Sequence, residues 1–273
     1  VVVEGDEDWA VPMLRQRRRL AELLASFDEE QWQSQSRCDA WDVRGVVSHL
    51  TTATGFWAFS VSMGRAGDPT QALQGFDPVA TPAQMVAADA ASSAEVLAAF
   101  VDSNRAFADS LASLDAAGWH TTVEAPPGHV SIRSLVLHAL WDSWIHERDV
   151  LLPLGIAQEL EDDEITGALL YAAALGPGFL AMSGSDRTGA FAVQAADPDV
   201  HLVVELGTTA VVRQHVPAPS DAVQLHGPAV QMVEALSFRG PFPEPLPPEH
   251  HWMFGGLAEV FDTTLEAEAA RHP

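Results

Sequence analysis

The chain has 273 residues, 47% hydrophobic and 19% charged, enough apolar content for a core and too little charge for wholesale disorder, and its length suits two compact domains. A formal net charge of −24 repels phosphate backbones and anionic headgroups, which argues against nucleic acid or a membrane surface as partner. The single cysteine, Cys38, excludes an intrachain disulfide and fits a reducing compartment, so a cytoplasmic location is expected.

The acidic start, Val1-Val-Val-Glu-Gly-Asp-Glu-Asp8, does not read as a signal peptide, and no run of 18 uncharged apolar residues is read that would span a bilayer. Leu14, Leu20, Leu23 and Leu24 predict a helix over about 9–27. The basic run Arg15 to Arg19 within it reads as a solvated face. A polar loop, 34–40, leads to a helix over about 43–63, with Asp42 as its N-cap and Val46, Val47, Leu50, Phe56 and Trp57 as its buried stripe. After a loop to residue 81, Thr81-Pro82 starts a long alanine-rich helix reaching about 114. A Gly/Pro break over 116–128 precedes a helix over 131–152, ended by Pro153 and Gly155, and a further helix over about 162–182.

Beyond residue 185 the texture changes. Short β-prone runs at 190–195, 201–206 and 210–216 are followed by a helix at 228–238, a Pro-rich loop at 241–248 and a helical segment at 254–270. The expected fold is therefore α+β in two domains: a helical bundle over 1–185 and a small α/β domain over 186–273. No phosphate-binding loop, dinucleotide fingerprint or serine nucleophile elbow is present.

Chemistry concentrates in Trp141-Asp-Ser-Trp-Ile-His-Glu-Arg-Asp-Val150. Four helical residues turn about 400° and rise about 6 Å, so Asp142 and His146 stack on one face. A carboxylate and an imidazole there suit a divalent ion such as Zn²⁺, and His49 on a facing helix is the natural third ligand. On spacing alone the pair is weak evidence for a metal, and a surface ion pair is the favoured reading. His138 shares a face with Asp142 but lies about 12 Å along the axis from His146, too far for one ion to join both.

Two stretches resemble the mycothiol-dependent maleylpyruvate isomerase family, within the DinB-like bundle superfamily. One is Ser36-Arg-Cys-Asp-Ala-Trp-Asp-Val-Arg-Gly-Val-Val-Ser-His-Leu50, and the other is Asp142-Ser-Trp-Ile-His-Glu-Arg-Asp-Val150, about 95 residues further on. The segment Asp221-Ala-Val-Gln-Leu-His-Gly-Pro-Ala-Val230, with Leu236-Ser-Phe-Arg-Gly-Pro241, is similar to the family's small sterol-carrier-like domain. The resemblance implies an up-down four-helix bundle with an extra helix, and His49, Asp142 and His146 as metal ligands. Asp142 stands where the family usually has Glu, one methylene longer. The resemblance also implies a basic residue from the C-terminal domain, for which Arg239 is the catalytic candidate; the alternative is a surface Arg after a helix.

Other residues have blander expectations. Glu147 and Asp149 could accept from a ligating imidazole, with Glu147 otherwise exposed. Cys38 is expected to pack at the bundle end rather than act as nucleophile. Trp41, Trp141 and Trp144 are expected in the core, and His250-His251 as a solvated pair beside the Pro-rich loop. The function implied is a mycothiol-type S-transferase or isomerase, in which a divalent ion, expected to be Zn²⁺, holds the cosubstrate thiol as thiolate for addition to a small electrophile. The alternatives are a metal-dependent hydrolase using bound water and a non-catalytic small-molecule-binding protein. Bundles of this kind can form homodimers, though no segment shows it.

Overall fold

The computed structural model describes residues 1–260. The chain forms two compact units: Trp9–Leu160, and Val1–Asp8 together with the chain from Glu161 onward, so that strand β1 (Val2–Val3) belongs with the second half.

In the first unit, α1 (Ala10–Leu24) turns Met13, Gln16, Arg17, Leu20 and Leu24 inward at helical spacing. The expected solvated face over 15–19 is thereby corrected, because Arg17 is buried and Arg19 is engaged with Glu147. A single turn, α2 (Glu29–Trp32), carries a capping box between Asp28 and Gln31. Helix α3 (Val43–Arg65) begins at Asp42, whose carboxylate accepts the Gly45 N–H at 2.7 Å. Its stripe Val43, Val46, Val47, Leu50, Trp57 and Val61 is buried.

The expected long helix over 81–114 is two helices, α4 (Ala80–Ala88) and α5 (Ser93–Leu111). The break has a local cause. Asp89 accepts the Ala91 N–H, and Ser92 and Glu95 form a second capping box that starts a new helix. The expected break over 116–128 contains a hairpin, β2 (Thr122–Ala125) and β3 (Gly128–Ser131), turned by Pro126-Pro127. It is tied to α3 by Ser60, whose hydroxyl accepts the Glu124 N–H and donates to its carbonyl. Gly64 makes this approach feasible: a Cβ there would overlap the Thr122 carbonyl.

Helix α6 (Ile132–Leu151) is buried along nearly its whole length. It ends where Gly155 takes a left-handed φ of 68° and the Ile156 N–H reaches back to the Leu151 carbonyl, which is how a Schellman end satisfies the last carbonyls. Helices α3 and α1 each pack on both α5 and α6, so the four long helices close a bundle with α1 and α3 diagonal. At one end, Leu20, Leu24, Trp32, Val46, Val47, Leu50, Phe100, Val150 and Leu151 form a shared core. Each such side chain contributes roughly 1.5–3 kcal/mol on full burial.

In the second unit, α7 (Asp162–Met182) packs over a sheet rather than closing the bundle, which moves the expected boundary from 185/186 to 160/161. The sheet holds β4 (Gly189–Ala196), β5 (Val200–Leu206), β6 (Val211–Gln214) and β7 (Val223–Pro228) in the order β1-β6-β5-β4-β7. Strands β4, β5 and β6 are antiparallel, while β1 on β6 and β7 on β4 are parallel. Among the described residues, α7 alone is long and apolar enough by composition to cross a membrane, contrary to the sequence expectation; 78% of that window is buried inside the protein, as in a core helix. Helix α8 (Ala229–Leu236) ends with Phe238 at a left-handed φ of 55° and the Arg239 N–H on the Glu234 carbonyl. Of the expected helix over 254–270, α9 (Gly255–Val260) is seen, and the remainder lies outside the described residues.

Candidate metal centre

Helices α3 and α6 bring His49 to Asp142 and His146. Asp142 Oδ1 lies 3.7 Å from His49 Nε2 and 3.6 Å from His146 Nε2, and the three donor atoms fall within 4.8 Å of one another. These separations exceed a good hydrogen bond. They resemble the spacing of ligands around a shared ion, since two ligands about 2.1 Å from a tetrahedral Zn²⁺ sit about 3.4 Å apart. Asp142 Oδ2 is buried and has no hydrogen-bond partner. A bare buried carboxylate oxygen costs free energy unless something cationic satisfies it, and this observation fits a metal at the donor set.

The electrostatics concentrate charge at this point. Burial opposes ionisation of Asp142, but His49, His146 and His138 outweigh it and hold the carboxyl well below the usual carboxylate range. Burial likewise works against a proton on His146, yet Asp149, Cys38 and Asp142 prevail and push its imidazole up to about 10. His138 is different. Burial pulls it down to about 4, only partly countered by Asp142, so it stays neutral between the rings of Trp57 and Trp141.

His146 has a second partner that fixes its orientation. Its Nδ1 is 3.0 Å from Asp149 Oδ2, which leaves Nε2 to face Asp142 and His49. A carboxylate on the far ring nitrogen sets the tautomer of metal-binding histidines in this way. Asp149 occupies the acceptor position considered for it behind the His146 ring. Glu147 does not, and it is buried rather than exposed: its carboxylate accepts from Gln16 at 3.1 Å, Gln158 at 2.7 Å and Arg19 at 3.1 Å, which ties α6 to α1 and to the segment after α6.

Cys38, expected as end packing, sits 3.3 Å from Asp149 Oδ2 and 3.8 Å from His146 Nδ1. Cys38, His146 and Asp149 therefore form a second group close enough for an ion. Its donors are already engaged, and the Arg37 Nε, 3.0 Å from Asp149 Oδ1, repels a cation there. The group with the orphan Asp142 oxygen is the better fit. Trp41 is half-buried and stacks on His49, whereas Trp144 is fully buried as expected.

Two features were not foreseen. Arg17 is buried, with its Nη atoms on Thr54, Asn104 and the Ala139 carbonyl, its guanidinium over Trp57 and its Nε without a partner. Burial pulls its guanidinium down to about 10 against the pull of Asp142. The cue in the sequence was position, since Arg17 falls between Met13 and Leu20 on the inward face. The polar loop over 34–40 was expected only to pack Cys38 at the bundle end, with Trp41 in the core, but this segment borders both histidines. Arg239 follows α8 in the other unit and is not a member of either ligand group. His251 binds the Leu246 carbonyl at 2.9 Å rather than standing free in solvent.

Residues 13–151 match the family described as mycothiol maleylpyruvate isomerase N-terminal domain. Two solved structures share the fold: the mycothiol-dependent maleylpyruvate isomerase, and a variant of it with one histidine replaced by alanine. Each superposes with a TM-score of 0.60 at 14% identity, covering 89% of this chain and 97% of the other. No curated protein matches the chain.

Proposed function

The chain belongs to the family of the mycothiol maleylpyruvate isomerase N-terminal domain, a family of enzymes, and from that premise we propose that it is a mycothiol-dependent isomerase or S-transferase acting on a small electrophile. The observation that carries this reading is the convergence of His49, Asp142 and His146 around an orphan buried carboxylate oxygen. His49, Asp142 and His146 would hold a divalent ion there, and such an ion would supply the acidity that a cosubstrate thiol needs to ionise at neutral pH. The absence of cysteine from that donor set supports a thiol brought by a cosubstrate.

The protein's own residues have the remaining tasks. His49 and His146 present ring nitrogens, Asp142 brings the carboxylate, and Asp149 keeps His146 Nε2 directed at the centre. The half-buried Trp41 shields one face of His49 from water. Asp142 in place of the family's Glu draws the donor atom toward α6 and widens the space left for a reactant, which favours an electrophile other than maleylpyruvate. Assignment of Arg239 to a substrate carboxylate rests on the family resemblance; Arg239→Ala should raise KM for carboxylated substrates more than for uncharged ones.

The test is metal analysis of purified protein, followed by mass spectrometry after incubation with mycothiol and a panel of activated alkenes, epoxides and alkyl donors. Stoichiometric metal lost in His49→Ala and His146→Ala, with thiol-dependent turnover, is the expected result. A retained thiol adduct identifies a transferase, and an isomerised product without adduct an isomerase. Metal retained in both variants, or turnover without thiol, overturns the reading.

A further inference from the structure

We propose that the loop from Ser36 to Trp41 is a clamp that positions both metal-binding histidines, with Arg37 and Cys38 acting on His146 through Asp149. The inference rests on the metal reading above.

Asp149 is fully buried on α6, one turn beyond His146. Its two carboxylate oxygens have separate duties. Oδ1 accepts Arg37 Nε at 3.0 Å; Oδ2 accepts the His146 Nδ1–H at 3.0 Å and the Cys38 thiol at 3.3 Å. The Arg37 backbone N–H adds a bond to the Asp149 carbonyl at 2.9 Å. A buried carboxylate with this set of donors has little freedom to rotate, and neither does the imidazole that depends on it. The thiol is a weak donor, so it fills the remaining side of Oδ2 without displacing the stronger imidazole N–H.

The loop is itself held rigid. Gln35 Nε2 donates to the Cys38 and Trp41 carbonyls at 2.9 Å, Ser36 Oγ donates to the Trp41 carbonyl at 2.6 Å and accepts the Cys38 N–H at 3.0 Å, and the Trp41 N–H closes a turn on the Cys38 carbonyl. At its far end the Trp41 ring lies on His49, centroids 5.0 Å apart. One short segment therefore touches the acceptor behind one ligand and the face of the other. A loop whose only duty was to connect α2 to α3 would need neither contact.

The test uses the full-length protein with Arg37→Met, Arg37→Lys, Cys38→Ala and Cys38→Ser, read in two ways. The first is zinc affinity by competition with a chromophoric chelator. The second is the slowly exchanging Nδ1–H proton resonance of His146, observable without metal. Arg37→Met should weaken zinc by about tenfold or more and lose the resonance, and Arg37→Lys should recover part of both, since partners behind a ligand typically contribute 10–100-fold. Cys38→Ala should weaken zinc severalfold and Cys38→Ser less. If Arg37→Met fails to fold, Arg37→Lys and Cys38→Ala carry the comparison.

Zinc affinity within twofold of the parent in folded variants, with the resonance retained, overturns the clamp. So does loss of zinc in Cys38→Ala combined with its retention in His49→Ala, because the ion would then sit among Cys38, His146 and Asp149. If the parent protein takes up no zinc, the metal reading falls. Loss of the resonance in Arg37→Met would still support the clamp, and its persistence would overturn it.

Discussion

The indole of Trp41 lies over the imidazole of His49 with ring planes 25° apart, and the His49 ring meets that of His146 edge-on at 5.1 Å. Three rings thus border the only carboxylate of the better-fitting donor set. Stacking restrains His49 about its last torsion, which a bare α3 would leave free. Trp41→Phe should preserve zinc affinity within about threefold, and Trp41→Ala should lower it by about tenfold, the scale of an outer contact to a ligand. Chelator competition measures both; equal affinities in the two variants would remove Trp41 from the site.

Asp142 supplies the carboxylate of the proposed centre. Asp142→Ala should abolish stoichiometric metal, because two neutral imidazoles hold zinc weakly. In the metal-free protein the same change removes the counter-charge to His146 and Arg17, and a broken buried pair costs about 3–5 kcal/mol. Asp142→Glu, which restores the family's usual residue, should keep the metal while shifting the substrate profile. Metal analysis and a denaturant melt of each variant check this, and undiminished metal in Asp142→Ala would contradict the assignment.

Metal uptake should release a proton. With His146 at about 10 in the metal-free protein, its ring is protonated at neutral pH, and a metal must displace that proton from Nε2. Apparent zinc affinity should therefore climb by about tenfold per pH unit through neutrality and level off near pH 10. Calorimetry in two buffers of different ionisation enthalpy should find about one proton released per ion near pH 7.5. A pH-independent affinity would mean that the ring is already neutral.

Stability of the metal-free protein should peak between two limbs. His138 is depressed to about 4, so its contribution is complete above the unfolded value of 6.5 and is lost as pH falls from 6.5 toward 4. That loss amounts to at most ~3 kcal/mol at 1.36 kcal/mol per unit. His146 is raised, so its contribution is complete below 6.5 and is lost as pH rises toward 10. His138→Gln should flatten the acid limb between pH 4 and 6.5 and leave the alkaline limb in place, as read by urea melts at each pH.

The break between α4 and α5 offers a local test. Ser92→Ala removes the cap on α5 and should cost about 1 kcal/mol, with Glu95→Ala costing less. A double variant close to either single one would show that the two caps act as a unit.

The meeting of the three candidate ligands was legible in part, because helical spacing places Asp142 over His146 and a buried stripe puts His49 on the inward side of α3, while the choice of that group over a plain ion pair came from the family resemblance. The helix break at 89–92 was missed although Ser92-Ser-Ala-Glu95 is a capping signature, because alanine-rich flanks favoured one continuous helix. Arg17 and Glu147 were misjudged for a common reason. Charge predicts exposure unless partners are known, and their partners, Thr54 and Asn104 for one and Gln16 and Gln158 for the other, are distant in the chain or neutral. The role of Cys38 depends on Asp149, 111 residues away, and no local pattern encodes that meeting. Helix α7 was assigned to the wrong unit because an apolar helix fits a bundle or a sheet equally well, and periodicity does not choose between them. Strand β1 is two residues long, too short to carry an alternation signal.

That short strand has a practical corollary. Val2 and Val3 pair with Val211 and Val212, so the polypeptide leaves the sheet-bearing unit at residue 8 and re-enters it at 161. Topologically the bundle is a 9–160 insert spliced into its host. Excised at those joints it would retain all three candidate ligands. Trimming the first eight residues would leave the bundle whole while uncovering the β6 margin, inviting edge-to-edge aggregation of the half that carries none of the three candidate ligands.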